Sequence, residues 1–325
     1  MSDIPLIDLQ SQLDCPEVEA AIAEQIGQAC TNTGFFAISG HGIPDTTIEH
    51  CWQASLKFFA LSESEKLKVR MPYAGYPYGF APMEAETLSH SRGQQAPPDL
   101  KETFSVGPNT PPPPGISAKE AVFVFSENQW PHRPPDFQEA WQVCHKAMAQ
   151  LAERLMMLFA LALKLPRNHF DDFLRQPISA LRANHYPALM QTPQPGQLRA
   201  GAHSDYGSLT LLMQGEGASG LEILNRQQEW VPVTPCKPQV VVNLGDLMER
   251  WTNGKWVSSL HRVVPPEFER NTSHSRMSLA FFQQPDWDAP IECLPTCLNS
   301  DETAKYPGVT SGCYLMERFH STVLD

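Results

Sequence analysis

The run Ala202-His203-Ser204-Asp205-Tyr206-Gly207 leads almost directly into Leu209–Met213, a short β-prone segment. Further segments of the same texture follow at Leu221–Leu224, Trp230–Val233, Val240–Leu244, Val257–Val264 and Met277–Phe282, separated by turn residues. Short strands in this rhythm predict a sandwich or barrel of antiparallel strands. On a strand, residues i and i+2 point to the same side, so His203 and Asp205 are placed to grip one ion together. His261, in Leu260-His261-Arg262-Val263, offers a third donor from a later strand. Two imidazoles and one carboxylate are the ligand set of a mononuclear non-haem iron site with open positions. The same set on zinc would support hydrolysis, but the His-Glu-x-x-His pattern of helical zinc peptidases is absent.

A second His-x-Asp triplet, His169-Phe170-Asp171, follows Pro166 and runs into a helical-looking segment. There, i and i+2 diverge by roughly 200° around the axis, so the triplet does not read as a metal site. Arg276 and Ser278 again stand at i and i+2, in a run ending Leu279-Ala280-Phe281-Phe282. A guanidinium with a hydroxyl beside it makes a bidentate clamp for the carboxylate of a co-substrate. Taken singly, His261 reads as a core histidine bonded to backbone and Arg276 as the partner of a structural carboxylate. The four residues in combination argue for a metal with an anion clamp beside it.

The chain has 325 residues and a net charge of -12. That length allows one large domain or two small ones. The charge gives no basic footprint for nucleic acid, and no apolar run is long enough to cross a membrane. Met1-Ser2-Asp3-Ile4-Pro5 lacks the basic and apolar regions of a signal peptide. The eight cysteines are scattered without a Cys-x-x-Cys pair, which suits reduced thiols in the cytoplasm. A monomer acting on a small molecule is the expected state. Thirty prolines disfavour an all-helical chain.

Three stretches form a single structural unit in this reading. Residues 1–135 hold a strand at Ile4–Leu9, helices over Glu17–Asn32 and Thr46–Leu61, a buried strand at Phe35–Ser39, and an irregular region from 71 to 135. That irregular region reads as a lid or substrate-facing wall. Residues 136–300 hold a long helix, Phe137–Leu163, amphipathic enough to brace a sheet, and a jelly-roll core over about 180–285. Residues 301–325 form a helical closing segment. The fold class is mainly β with flanking helices.

Several segments, in order, match one known family. Ile4-Pro5-Leu6-Ile7-Asp8-Leu9 is similar to its opening strand, and Gly34-Phe35-Phe36-Ala37-Ile38-Ser39-Gly40-His41-Gly42-Ile43-Pro44 to its Gly-Phe-Phe and His-Gly signature. Phe58-Phe59-Ala60-Leu61-Ser62, Asp99-Leu100-Lys101-Glu102-Thr103-Phe104 and Glu127-Asn128-Gln129-Trp130-Pro131 continue the match. Over nearly its whole length the chain resembles the isopenicillin N synthase-like branch of the Fe(II)/2-oxoglutarate-dependent dioxygenases. The resemblance implies a double-stranded β-helix core with Fe(II) on His203, Asp205 and His261. It implies that Arg276 and Ser278 bind the distal carboxylate of 2-oxoglutarate, and that Asn184 and Tyr186, in Asn184-His185-Tyr186-Pro187, face the co-substrate. The stretch between His261 and Arg276 is longer than the commonest pattern, which points to a lengthened loop over Pro265–His274.

The implied reaction hydroxylates an unactivated C–H bond, consumes dioxygen and yields succinate and carbon dioxide. One rival is an isopenicillin N synthase-like oxidase or cyclase in which the arginine and serine hold the substrate's own carboxylate. Another is a non-catalytic jelly-roll binding protein. Candidate substrate walls are Tyr78, Phe80, Glu84 and Phe104, then Leu211, Met213, Phe281 and Gln283, and finally the stretch from Tyr314 to Phe319.

Overall fold

The computed structural model describes residues 4–9, 15–215, 220–233, 239–265, 275–298 and 303–320. The elements begin with β1 (Leu6–Asp8), α1 (Pro16–Asn32), β2 (Phe35–Ser39), α2 (Asp45–Phe59), α3 (Glu63–Lys66), β3 (Gly79–Ala81), β4 (Glu102–Val106), α4 (Ala118–Ala121) and α5 (Phe137–Ala162). They continue with β5 (Ala180–Tyr186), β6 (Ala200–His203), β7 (Leu209–Gln214), β8 (Leu221–Leu224), β9 (Trp230–Pro232) and β10 (Val240–Leu244). After α6 (Asp246–Trp251) come β11 (His261–Val263), β12 (Arg276–Gln283), β13 (Pro290–Ile291), β14 (Val309–Thr310) and α7 (Ser311–His320).

The fold is mainly β with flanking helices. The larger sheet has eight strands in the order β1-β2-β10-β7-β12-β5-β4-β3, and the smaller has four, β6-β11-β8-β9. All neighbours pair antiparallel except β1 with β2. Strands of both sheets line one cavity, and neither sheet closes into a barrel. The far side of the larger sheet is covered by helices. Along α5, Phe137, Trp141, Cys144, Met148, Leu151, Leu155 and Leu158 recur at spacings of three and four and are all buried. That spacing gives the helix one continuous apolar stripe, which packs under the sheet.

The pleat of β12 divides core from cavity. Met277, Leu279 and Phe281 join the helix-side core, with the Phe281 ring edge-on to His145 at 5.1 Å. Arg276, Ser278, Ala280 and Phe282 line the cavity. Register carries the division across the sheet. Ala280 stands between Arg182 and Leu212, and Phe282 between Ala180 and Thr210. All four of these neighbours line the cavity too.

Four expected wall residues therefore lie on the wrong side of the pleat. Leu211, Met213 and Phe281 belong to the helix-side core. So does Phe104, whose ring meets those of Phe58, Phe137 and Trp141 at 5.0 to 5.1 Å. Successive strand residues alternate faces, so an error of one position exchanges cavity for core. The region read as irregular contains β3 and β4, which extend the larger sheet. The strand expected over Val257–Val264 shrinks to His261–Val263. The lengthened loop over Pro265–His274 falls mostly outside the described residues, as do Met1–Asp3 and Cys236. No helix among the described residues is long and apolar enough to cross a membrane.

The alternation can be tested by two neighbouring truncations. Leu211→Ala opens a hole in the helix-side core and should cost about 2–5 kcal/mol of stability in urea unfolding. Leu212→Ala removes a cavity wall and should cost clearly less; equal losses would contradict the assigned faces.

Candidate active site

β6 ends at His203, and Asp205 lies two residues beyond it, in the connection to β7. The two ligands are thus not neighbours on one strand face, as their spacing had predicted. What holds Asp205 is its own backbone and one carboxylate oxygen. The Asp246 amide donates to the Asp205 carbonyl at 2.8 Å, and the Leu247 amide to that of Gly207 at 3.1 Å. Gly245 makes the approach possible, since a Cβ there would stand 2.2 Å from the Gly207 oxygen. Thr210 Oγ1 and Asn243 Nδ2 each donate to Asp205 Oδ2 at 2.6 Å.

Oδ1 is left facing the imidazoles, 3.8 Å from His203 Nε2 and 3.6 Å from His261 Nε2. His261 stands directly across from His203 in the β6–β11 pair, with ring centroids 4.3 Å apart. Phe35 from β2 packs edge-on against His261. Each Nδ1 meets a backbone carbonyl: that of Gly201 at 2.7 Å for His203, and that of Ser259 at 3.2 Å for His261. A carbonyl can only accept, so both Nδ1 atoms carry the proton and both Nε2 atoms offer a lone pair. Hydrogen bonds at the far ring nitrogen prepare histidines for a metal in this way. Three ligand atoms within 4.8 Å of one another, two nitrogens and one oxygen, fit a mononuclear iron.

The electrostatics agree. Burial, with His261 as close neighbour, pushes the His203 imidazole down to about 3. It is therefore neutral and ready to ligate at physiological pH. Burial alone would raise the Asp205 carboxyl, but the two imidazoles and the Thr210 and Asn243 hydrogen bonds hold it below its ordinary value.

Beside this centre lie the two residues expected to clamp an anion. Arg276 and Ser278 lie on β12, directly across from Tyr186 and Asn184 of β5. The Arg276 guanidinium sits over the Tyr186 ring at 4.6 Å and donates to Gln214 Oε1 at 3.4 Å. Arg199, fully buried, approaches the same ring at 5.8 Å. Burial and the charge of Arg276 bring it down to about 10, so it remains a cation at neutral pH. Neither Arg199 nor Gln214 was found from sequence, because no local pattern marks them.

A cavity of about 560 Å³ surrounds these groups. Its wall includes the segment from Met71 to Tyr78, both sheets, and Leu315 and Phe319 of α7. Tyr78 lines it, with its hydroxyl donating to Val124 at 2.7 Å. Phe80 lines it while packing edge-on against Phe58. Three further candidates turn elsewhere. Glu84 is exposed and accepts from Gln197 at 3.2 Å. Gln283 is buried and accepts from Ser179 at 3.1 Å. Tyr314 is tied by its hydroxyl to Asp246 at 2.8 Å. The cavity instead presents Glu86, Lys101, Arg182, Tyr206 and Phe282. Of these, Arg182 and Phe282 follow by period two from Asn184 and Ser278.

Two family models match the chain: the N-terminal region described as non-haem dioxygenase in morphine synthesis, over residues 4–133, and the 2OG-Fe(II) oxygenase superfamily, over residues 177–285. A homoarginine-6-hydroxylase of Oryza sativa subsp. japonica is 31% identical, the match covering 97% of this chain and 96% of the relative. The chain belongs to the 2-oxoglutarate- and Fe(II)-dependent oxygenases. A 2-oxoglutarate-dependent dioxygenase of Didymella fabae is 33% identical over 90% of this chain and 88% of its own. A full-length Neurospora crassa protein, solved in complex with alpha-KG, superposes with a TM-score of 0.86 at 30% identity, covering 98% of this chain and 96% of that one. The oxygenase thus has the jelly-roll core of its family. Its cofactor is Fe(II), with 2-oxoglutarate and dioxygen as co-substrates.

The low His203 value has a consequence for the metal-free protein. A histidine held neutral by folding takes up a proton more readily when unfolded, so its stabilising effect is full above about 6.5 and declines as pH falls towards 3. Metal-free wild type should therefore lose Tm between pH 7 and pH 5, and His203→Gln should lose less over the same interval. A variant with the same pH dependence would refute the assignment.

Proposed function

We propose that the oxygenase hydroxylates a C–H bond of a small molecule, with His203, Asp205 and His261 holding the Fe(II). Arg276 and Ser278 bind the distal carboxylate of 2-oxoglutarate, and Asn184 and Tyr186 line its other side. The observation that carries this reading is the paired tautomer: both histidines are locked through Nδ1, so that two Nε2 lone pairs and Asp205 Oδ1 meet at one point.

When bound, the iron with dioxygen and 2-oxoglutarate supplies the oxidising power, converting 2-oxoglutarate to succinate and carbon dioxide as a substrate C–H becomes C–OH. The chain's own groups orient and exclude. Arg276 neutralises one carboxylate away from water, where charge-assisted hydrogen bonds are strong. The Tyr186 ring beneath the guanidinium restricts its tilt. The walls from Met71 to Tyr78 and from α7 keep water from the reacting centre.

The likeness to the Neurospora crassa protein, also solved with alpha-KG and thymine, and to a homoarginine-6-hydroxylase supports a small polar substrate. We further infer a monomer in the cytoplasm; the seven described cysteines are all free thiols, which suits a reducing compartment.

Calorimetry without oxygen tests the clamp. Arg276→Leu should weaken 2-oxoglutarate binding to the Fe(II)-loaded protein by about 100-fold, the scale of a lost buried charged pair. Asp205→Ala should abolish succinate formation. Unchanged 2-oxoglutarate affinity in Arg276→Leu, or oxygen uptake without succinate in wild type, would overturn the reading.

A further inference from the structure

One side of the cavity is backed by a network of four charged side chains, three of which line the wall. Lys101 Nζ lies 3.2 Å from Glu86 Oε2 and 3.6 Å from Asp99 Oδ2. Arg182 Nη1 donates to both oxygens of Glu86, at 3.1 and 3.2 Å, and its Nε donates to Ser105 Oγ at 2.9 Å. Asp99 and Lys101 are nearly fully buried and Arg182 and Glu86 partly open; Lys101, Arg182 and Glu86 line the cavity, with Asp99 behind them. Burial would raise the Glu86 carboxyl, yet Arg182 and Lys101 hold it down at about 2. Glu86 is therefore a fixed acceptor at any physiological pH.

Two features define what this wall can bind. The first is charge. Two carboxylates face two cations, so the network is already neutral. A cationic substrate group would meet Lys101 and Arg182 as well as Glu86. An anionic one would meet Glu86 as well as Arg182. Either would leave a net charge buried, which the loss of hydration strongly disfavours. The second is the pattern of unused hydrogen bonds. Arg182 Nη2 has no partner among the described residues, and Glu86 Oε1 accepts only from Arg182 Nη1. An open donor thus stands beside an acceptor with capacity left. Next to them on β5 and β12, Ala180 and Ala280 are small and leave room above the sheet, and Phe282 adds apolar surface.

We propose that Arg182 and Glu86 select the substrate, and that the oxygenase takes an uncharged molecule with a carbonyl beside an N–H, as in a lactam, cyclic imide or carboxamide. The carbonyl oxygen accepts from Arg182 Nη2 and the N–H donates to Glu86 Oε1. This inference rests on the cavity being the substrate site of the oxygenase. It separates the chain from those relatives whose named substrate is homoarginine, a cation.

The test is calorimetric binding and succinate release with the Fe(II)- and 2-oxoglutarate-loaded enzyme, binding being measured without oxygen. The neutral probes are glutarimide and uracil, the charged ones homoarginine, lysine and benzoate. N-methylglutarimide and 1,3-dimethyluracil keep the carbonyls but lack the N–H. The neutral pair should bind and stimulate succinate release in preference to every charged probe. Methylation should weaken binding about tenfold or more, the scale of one buried hydrogen bond lost to a charged group. Arg182→Met should weaken the neutral probes similarly, and the methylated probes keep the question open to test should that variant fold poorly. A preference for a charged probe, equal binding of the methylated probes, or neutral probes that do no better than the rest overturns the proposal, including the case in which nothing binds. Titration of 2-oxoglutarate itself, run first, reports separately on the oxygenase reading.

Discussion

Two hydrogen bonds to a single oxygen of Asp205 organise the centre of this protein. Thr210 and Asn243 both donate to Oδ2, and they come from β7 and β10, adjacent strands of the larger sheet. Their register sets Asn243 opposite Thr210. The direction of Oδ1 is therefore a property of the sheet, although Asp205 itself sits outside any strand. The helix-side core keeps that register, because a slip of one residue would turn polar Thr210 into the apolar core and Leu211 out towards the cavity. The metal geometry and the hydrophobic core thus have a common origin in the pleat.

The same pleat orders the cavity from end to end. Arg276 and Phe282 are six residues apart on β12, about 20 Å at strand rise. Arg276 and Ser278, the proposed carboxylate clamp, stand at one end and the Arg182–Glu86 pair further along, with the histidine pair contributed by the smaller sheet. Arginine serves the two regions differently. Arg276 and Arg199 bring two cations to one ring, that of Tyr186, which suits an anionic co-substrate. Arg182 is already paired with Glu86 and retains one donor to offer.

Much of this was legible in the sequence. The long helix, β2, β7, β8 and β10 stand within a residue or so of their expected limits, because apolar periodicity is strong where one face is fully buried. The cluster of His203, Asp205 and His261 was recognisable from chemistry and order. Three things were not legible. Asp205 lies past the end of β6, since the strand ends before the turn that aims it. β3 and β4 went unread, being short and embedded in a proline-rich region. The cavity wall was misread by one position at Leu211, Met213 and Phe281, because large apolar residues looked like pocket and belong to core. Parity with Arg276 and Ser278 points instead to Ala280 and Phe282.

Hydrogen bonds behind His203, Asp205 and His261 pre-set three donor atoms for one Fe(II). The most direct measurement is an anomalous-diffraction map of crystals grown anaerobically with Fe(II). A single iron peak is expected about 2 Å from His203 Nε2, His261 Nε2 and Asp205 Oδ1, with Oδ2 still bonded to Thr210 and Asn243. An iron bound through Nδ1, a bidentate Asp205 freed from Thr210 and Asn243, or iron at another position would contradict it.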